Sequence, residues 1–387
     1  MKRADARRRR TSVGLLLATL MVLLTGAPAW AAGRSDDHAV IEVPILRPTG
    51  AYPRIFVQAL LPDGSKGLFL VDTGADISVL STETAERLGL NVQENYATLE
   101  GLSGTTQMNR AVLPSLSFSS GEDTVSVERI ELAVGVRGMT DTVQFMPLDG
   151  LLGNNVWSNF VMEVDYPANL LILHPPNSVR TTRRQPRRLW TGGRVAPMVF
   201  DGAHIYSPVQ LTTFGDPPAS GQFIAQIDTG AGDLTLCART GQPFQERTTE
   251  GLEIVRGIGA SDTLPPHRFL ERTRRIGVSG VRLGGRNVSM QTSARWMSFD
   301  VDEHDTCPTG MRALLGHHYL DSGRVIFDYG NGRMALRKSR RPAADVDGHP
   351  PLPCLFPPAR VPALVRIACV SPSPDRRSIV FTNRTFG

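Results

Sequence analysis

Residues 67–80 read Gly67-Leu68-Phe69-Leu70-Val71-Asp72-Thr73-Gly74-Ala75-Asp76-Ile77-Ser78-Val79-Leu80, and residues 223–236 read Phe223-Ile224-Ala225-Gln226-Ile227-Asp228-Thr229-Gly230-Ala231-Gly232-Asp233-Leu234-Thr235-Leu236. Each is a short apolar run, then Asp-Thr-Gly-Ala, then a second short apolar run. Runs of this length bounded by turn residues predict strands. Both copies therefore read as strand, tight turn, strand, with an aspartate at the tip. One Asp-Thr-Gly turns up by composition alone in roughly one chain in ten of this length; two with matched flanks imply duplication.

The likeness extends downstream. Gly150-Leu151-Leu152-Gly153 is echoed by Ala313-Leu314-Leu315-Gly316, and Asp165-Tyr166 by Asp328-Tyr329. Asn169-Leu170-Leu171-Ile172-Leu173 and Asn331-Gly332-Arg333-Met334-Ala335-Leu336 each predict a turn feeding a closing strand. Each Asp-Thr-Gly lies a similar distance from its Leu-Leu-Gly, 72 to 153 and 228 to 316, a difference that loop insertions absorb.

The chain has 387 residues, 41% of them hydrophobic and 20% charged, enough to bury a large core. Helical periodicity is scarce, while runs of Val, Ile, Leu and Phe recur between Gly, Pro, Asn and Asp clusters. The expected fold is mainly β, in two lobes related by a pseudo-twofold axis: 39–176 and 193–339, joined by a basic linker at 177–192. Residues 340–387 form a Pro-rich tail with two short apolar runs, either a disulfide-stapled hairpin or a disordered segment.

Residues 1–31 read as an export signal: a basic stretch ending in Arg7–Arg10, an apolar run Val13–Leu24, and small residues around Ala29-Trp30-Ala31. The run is short for a bilayer span, which favours cleavage near Ala31 over a retained anchor. The expected location is periplasmic or secreted. The paired arginines match a twin-arginine signal loosely. These 31 residues hold six basic side chains (Lys2, Arg3, Arg7, Arg8, Arg9, Arg10) against Asp5, so without them the formal charge of +5 falls to zero. A neutral mature chain has no global attraction for nucleic acid or an anionic membrane. Export permits disulfides among Cys237, Cys307, Cys354 and Cys369. Three connectivities are open; sequence proximity favours Cys237 with Cys307 and Cys354 with Cys369.

If two such lobes pack about their axis, the loop tips meet and Asp72 faces Asp228. Neighbouring carboxylates cannot both ionise cheaply, so the pair shares a proton. The ionised member can deprotonate a water while the protonated member hydrogen-bonds a carbonyl, with the roles then exchanged. Amide hydrolysis follows without metal or covalent intermediate, and no cofactor is expected.

On these residues the chain resembles the retropepsin-like aspartic peptidases, as a fused bacterial pair of such units similar in plan to the bilobed pepsins. The resemblance implies an aspartic endopeptidase acting on exported or envelope proteins. It assigns Asp72 and Asp228 as catalytic, and Thr73 and Thr229 as threonines bonded across the lobe interface, with Gly74 and Gly230 beside them. Leu151-Leu152-Gly153 and Leu314-Leu315-Gly316 would thread behind the catalytic loops. Flaps covering the substrate would fall at Leu99–Thr105, with Gly101 and Gly104, and at Val255–Ala260, with Gly257 and Gly259. A peptide or protein substrate is the expected partner, without a stable membrane anchor. Both lobes lie in one chain, so a monomer suffices.

The second copy departs from the first, with Gly232 and Leu234 where the first has Asp76 and Ser78. A non-catalytic peptide-binding module on the same fold therefore stands as the alternative, and a structural envelope protein as a further one. Asp165 and Asp328 read as turn initiators. His317 and His318 read as strand neighbours pointing to opposite faces, in no metal-site spacing. Cys237 lacks a nearby histidine that would make it a nucleophile.

Overall fold

The computed structural model describes residues 40–47, 54–101, 104–135, 148–174, 194–241, 243–244, 248–254, 270–288, 293–297, 313–321, 323–337 and 339. All belong to one unit, Ala39–Gly387.

The first half supplies β1 (Ile41–Leu46), β2 (Phe56–Leu60), β3 (Lys66–Val71), β4 (Ser78–Leu80), β5 (Gln93–Gly101), β6 (Gly104–Ser120), β7 (Asp123–Val134), β8 (Gly150–Leu152), β9 (Val161–Asp165) and β10 (Leu170–His174). Six of them close on themselves in the order β2-β3-β8-β4-β7-β6, with Leu60 of β2 paired to Ser117 of β6. Short helices interrupt the strands at Thr82–Arg87 (α1) and Asn154–Trp157 (α2). Ser81 caps α1 by accepting the Thr84 N–H at 3.1 Å.

The second half repeats the plan with β11 (Arg194–Pro197), β12 (Val199–Asp201), β13 (His204–Thr213), β14 (Ser220–Asp228), β15 (Leu234–Leu236), β16 (Thr248–Ile254), β17 (Leu270–Leu283), β18 (Arg286–Asn287), β19 (Ser293–Met297), β20 (Ala313–Gly316), β21 (Arg324–Asp328) and β22 (Arg333–Arg337). Here the ring is β13-β14-β20-β15-β19-β17, closed by pairing of β13 with β17. The fold is mainly β, with one six-stranded barrel in each half.

Alternation along the strands fills both barrels. Phe69, Leu80, Leu116, Phe118 and Trp157 are buried in the first, and Ile205, Leu211, Ile227, Leu236 and Leu283 in the second. Burial of a side chain of this kind stabilises by about 1.5–3 kcal/mol.

A six-stranded antiparallel platform joins the halves in the order β1-β10-β9-β21-β22-β11. Its central pair, β9 with β21, matches Asp165 to Arg324 and Val161 to Asp328, so Glu163 lies opposite Ile326. The repeat makes those two positions equivalent, and the pseudo-twofold axis passes between them. Asp165 and Asp328 close their strands by accepting turn N–H groups, from Ala168 and Asn331 respectively, each at 3.2 Å.

His317 and His318 depart from the sequence reading. The strand stops at Gly316, and the histidines form a 3-10 turn, His317–Tyr319, with ring centroids 4.4 Å apart. The His317 and His318 N–H groups donate to Ala231 O at 2.9 Å and Gly232 O at 3.1 Å, which draws the chain off the strand path, and Gly316 permits the close approach because a Cβ there would lie 2.5 Å from the Gly232 backbone.

Candidate active site

Each Asp-Thr-Gly turn is built by three strands. β8 runs parallel to β3 and antiparallel to β4, and so passes between the two arms of the Asp72 loop; β20 does the same between β14 and β15. The Asp72 N–H donates to Leu152 O at 3.0 Å. Asn154 N donates to Ala75 O at 2.8 Å and His317 N to Ala231 O at 2.9 Å.

The two loops meet on the axis. Thr73 N donates to Thr229 Oγ1 and Thr229 N to Thr73 Oγ1, both at 3.0 Å. Each hydroxyl donates in turn to the strand entering the opposite loop, Thr73 to Ile227 O and Thr229 to Val71 O, both at 2.8 Å. Gln226 adds a further bond across the boundary, to Gly74 O at 2.8 Å.

Asp72 and Asp228 are buried and hydrogen-bonded to one another. Asp72 Oδ1 accepts from Gly74 N at 2.8 Å; Asp228 Oδ1 accepts from Gly230 N at 2.7 Å and Ala231 N at 3.0 Å. Each carboxyl packs on the other loop's glycine. A Cβ on Gly74 would fall 2.3 Å from Asp228 Cγ, and one on Gly230 would fall 2.5 Å from Asp72 Cγ. No other residue type fits there.

Burial raises the pKa of both acids above the ordinary carboxylate range. Asp228 rises further: after burial, the Asp72 charge and its hydrogen bond both oppose ionisation. Asp72 is instead helped towards ionisation by the hydrogen bond from Asp228, and less by Gly74 N and the charge of Arg54. Burial and mutual repulsion thus lead the pair to share one proton between the two carboxyls.

The asymmetry between the copies has a structural counterpart. Ser78 Oγ donates to Asn155 Oδ1 at 2.7 Å and accepts from Gly153 N at 2.9 Å. Leu234 has no hydroxyl, and Gly316 N turns to Asp233 O at 3.0 Å while His318 Nδ1 lies 3.1 Å from Asp233 Oδ1. Asp76, lost as Gly232 in the second copy, faces the β12–β13 turn of the other barrel. His204 Nδ1 is 3.1 Å from its Oδ1 without hydrogen-bond alignment, and burial raises its pKa. The sequence reading took the two histidines as strand neighbours and gave them no place behind the loop. Laying Leu-Leu-Gly-His-His on Leu-Leu-Gly-Asn-Asn would have marked them as stand-ins for Asn154 and Asn155.

Of the flap positions, Gly101 and Gly104 pair with each other at the end of the β5–β6 hairpin. Gly257 and Gly259 lie outside the described residues, past the end of β16. Cys237 is disulfide-bonded, which removes it as a free nucleophile; the other three cysteines lie outside the described residues. Among the described residues no group of three or more His, Cys, Asp or Glu side chains could hold a metal ion, and no helix is long and apolar enough to cross a membrane.

A search of curated protein sequences returned no match. Among solved structures, conglutin gamma from lupine seeds aligns at 10% identity over 76% of this chain and 94% of its own, with a TM-score of 0.44. Basic 7S globulin from soybean aligns at 10% identity over 79% and 98%, also at 0.44. A retropepsin-like aspartic protease from Rickettsia conorii aligns at 24% identity over 35% of this chain and 91% of its own, with a TM-score of 0.27. Residues 57–156, which hold Asp72 and the six strands of the first barrel, match the family model described as aspartyl protease.

Proposed function

We propose that the protein is an aspartic endopeptidase in which Asp72 and Asp228 activate a water against a peptide carbonyl. The observation that carries this reading is the buried, mutually hydrogen-bonded carboxyl pair at the tips of two loops locked by reciprocal threonine bonds. Such a pair can act as base and acid at once. Ionised Asp72 takes a proton from water, and Asp228 donates its proton to the carbonyl oxygen as the tetrahedral intermediate forms. Collapse reverses the roles and sends a proton to the leaving amine.

An extended substrate would lie between the carboxyls and the β5–β6 hairpin, gaining backbone bonds as an added strand. We assign residues 1–31 to export and exported or envelope proteins as the substrates, on the basic-apolar-small order of that segment. The test is cleavage of an unstructured protein by the mature chain across about pH 3–8, a range bracketing paired-carboxyl titrations, beside Asp72→Asn and Asp228→Asn. Turnover abolished in both folded variants supports the reading. Undiminished turnover in either removes the pair from the chemistry, and peptide binding without turnover by the native chain establishes a binding module instead.

A further inference from the structure

Behind the two loops stand residues that the duplication makes equivalent: Asn154 after Gly153 and His317 after Gly316, with Tyr166 after Asp165 and Tyr329 after Asp328. On the Asp72 side both of these side chains, Asn154 and Tyr329, are partnered. Tyr329 Oη donates to Asn154 Oδ1 at 2.7 Å, and Asn154 Nδ2 donates to Thr73 O at 2.8 Å. The hydroxyl comes from the second half, while the amide and the loop belong to the first.

On the Asp228 side the chain of contacts is the same in kind but open in the middle. His317 Nδ1 lies 2.8 Å from Ala231 O. A carbonyl oxygen only accepts, so Nδ1 carries the proton, and Nε2 of the neutral ring is left as an acceptor. That nitrogen is buried with no partner, and so is Tyr166 Oη. Two such atoms are costly apart and complementary together, one an acceptor and one a donor. The duplication puts Tyr166 and His317 in the sequence positions that Tyr329 and Asn154 hold on the other side. Arg47 ties them to one locality: its guanidinium lies 5.6 Å from the Tyr166 ring centroid, and its charge also acts on His317.

We propose that Tyr166 and His317 are positioning residues for Asp228: the Tyr166 O–H serves the His317 Nε2 lone pair across one water, and so supports the Nδ1–H tautomer that anchors Ala231 beneath the Asp228 carboxyl. Ala231 donates its own N–H to Asp228 Oδ1 at 3.0 Å, which makes it the link between ring and carboxyl. The inference deepens the peptidase reading and rests on it for its kinetic readout alone. The surroundings keep the ring neutral. Burial opposes its protonation most, then His318, with Arg47 and Arg54 adding like charge, against the bond to Ala231; the outcome is a pKa pushed down to about 3. Asp233 lies beside His318, and Asp321 beside Arg47 and Tyr166.

Nitrogen-15 NMR of the histidine side chains in the full mature chain tests this, alongside kcat and KM. The native ring is expected as the Nδ1–H tautomer, uncharged at about pH 5, well below the pH at which an ordinary imidazole protonates. Tyr166→Phe should keep that tautomer, because Ala231 O still requires a donor, but should shift the Nε2 nitrogen-15 resonance and lower kcat about two- to tenfold, the worth of one hydrogen bond, with KM held. His317→Leu should fall at least as far, and His317→Asn, which copies the first half, should recover most of the loss. A native Nε2–H tautomer, or a Tyr166→Phe variant unchanged in its Nε2 resonance, overturns the inference. The tautomer is read without substrate, so a chain that cleaves nothing would still decide it.

Discussion

Thr73 and Thr229 each present a hydroxyl to the other's backbone N–H, at 3.0 Å in both directions, and no water-exposed atom intervenes because both residues are fully buried. Each hydroxyl therefore holds two backbone groups of the opposite half. Thr73→Val would strand the Thr229 N–H and the Ile227 carbonyl, whereas Thr73→Ser would keep both bonds. Each stranded buried group costs about 1–3 kcal/mol, so denaturant unfolding should show Val below Ser by about 2–6 kcal/mol on the same scale. Equal stability of the two variants would mean that the reciprocal bonds do not hold the halves together.

Stability should also record the cost of the buried acids, and the sign is set by the upward pKa shifts. A carboxyl whose folded pKa lies above its ordinary 3.8 binds its proton more tightly folded than unfolded. Its stability is then fullest below 3.8 and is lost as pH rises through the folded value. Asn at position 228 keeps an oxygen for Gly230 N and Ala231 N but never ionises. Asp228→Asn should therefore melt above the native chain at about pH 7, with the gap closing below about pH 3.8. A gap of the same size at both ends would contradict the raised pKa.

The parts legible in the sequence are those written in local pattern. The apolar runs, the turn residues around Asp72 and Asp228, and the Leu-Leu-Gly echoes all lie within short windows, and the repeat names the two aspartates that the structure brings together. Pairing between distant strands carries no local mark, so the β9–β21 seam that joins the halves was invisible. The histidine turn failed for a related reason. Period-two alternation extends a strand through His317 and His318, while the bonds that turn the chain after Gly316 run to Ala231 and Gly232, more than 80 positions earlier.

Glycine at the two loop tips should be irreplaceable on steric grounds. A methyl on Gly74 would sit 2.3 Å from Asp228 Cγ and 2.5 Å from its Oδ2, so the carboxyl or the loop must move. Gly74→Ala is expected to destabilise by about 1–3 kcal/mol, the usual cost of overpacking, and to abolish any turnover that depends on the pair. Gly330→Ala is the control, since its nearest neighbour would be Asp328 Oδ1 at 3.8 Å, an ordinary contact. If both variants unfold at the native midpoint and behave alike in assay, the close approach of the loops is not what the protein maintains.

At the seam between the halves, Glu163 is buried on the axis, with Arg324 Nη1 2.7 Å from Oε1 and His174 Nε2 3.4 Å from Oε2. Taking two charges out of water offsets much of their attraction, so the pair contributes little net stability, yet removing one partner leaves the other uncompensated in a dry site. Glu163→Leu should therefore cost about 3–5 kcal/mol, and adding Arg324→Leu should return a large part of it, because that face of the platform then becomes continuous apolar surface with Val161, Ile326 and Ala335. The double-mutant cycle from urea unfolding reads the coupling directly. Costs that simply add would show that the two side chains do not depend on each other, and the seam would then be held by its backbone ladder and apolar neighbours alone.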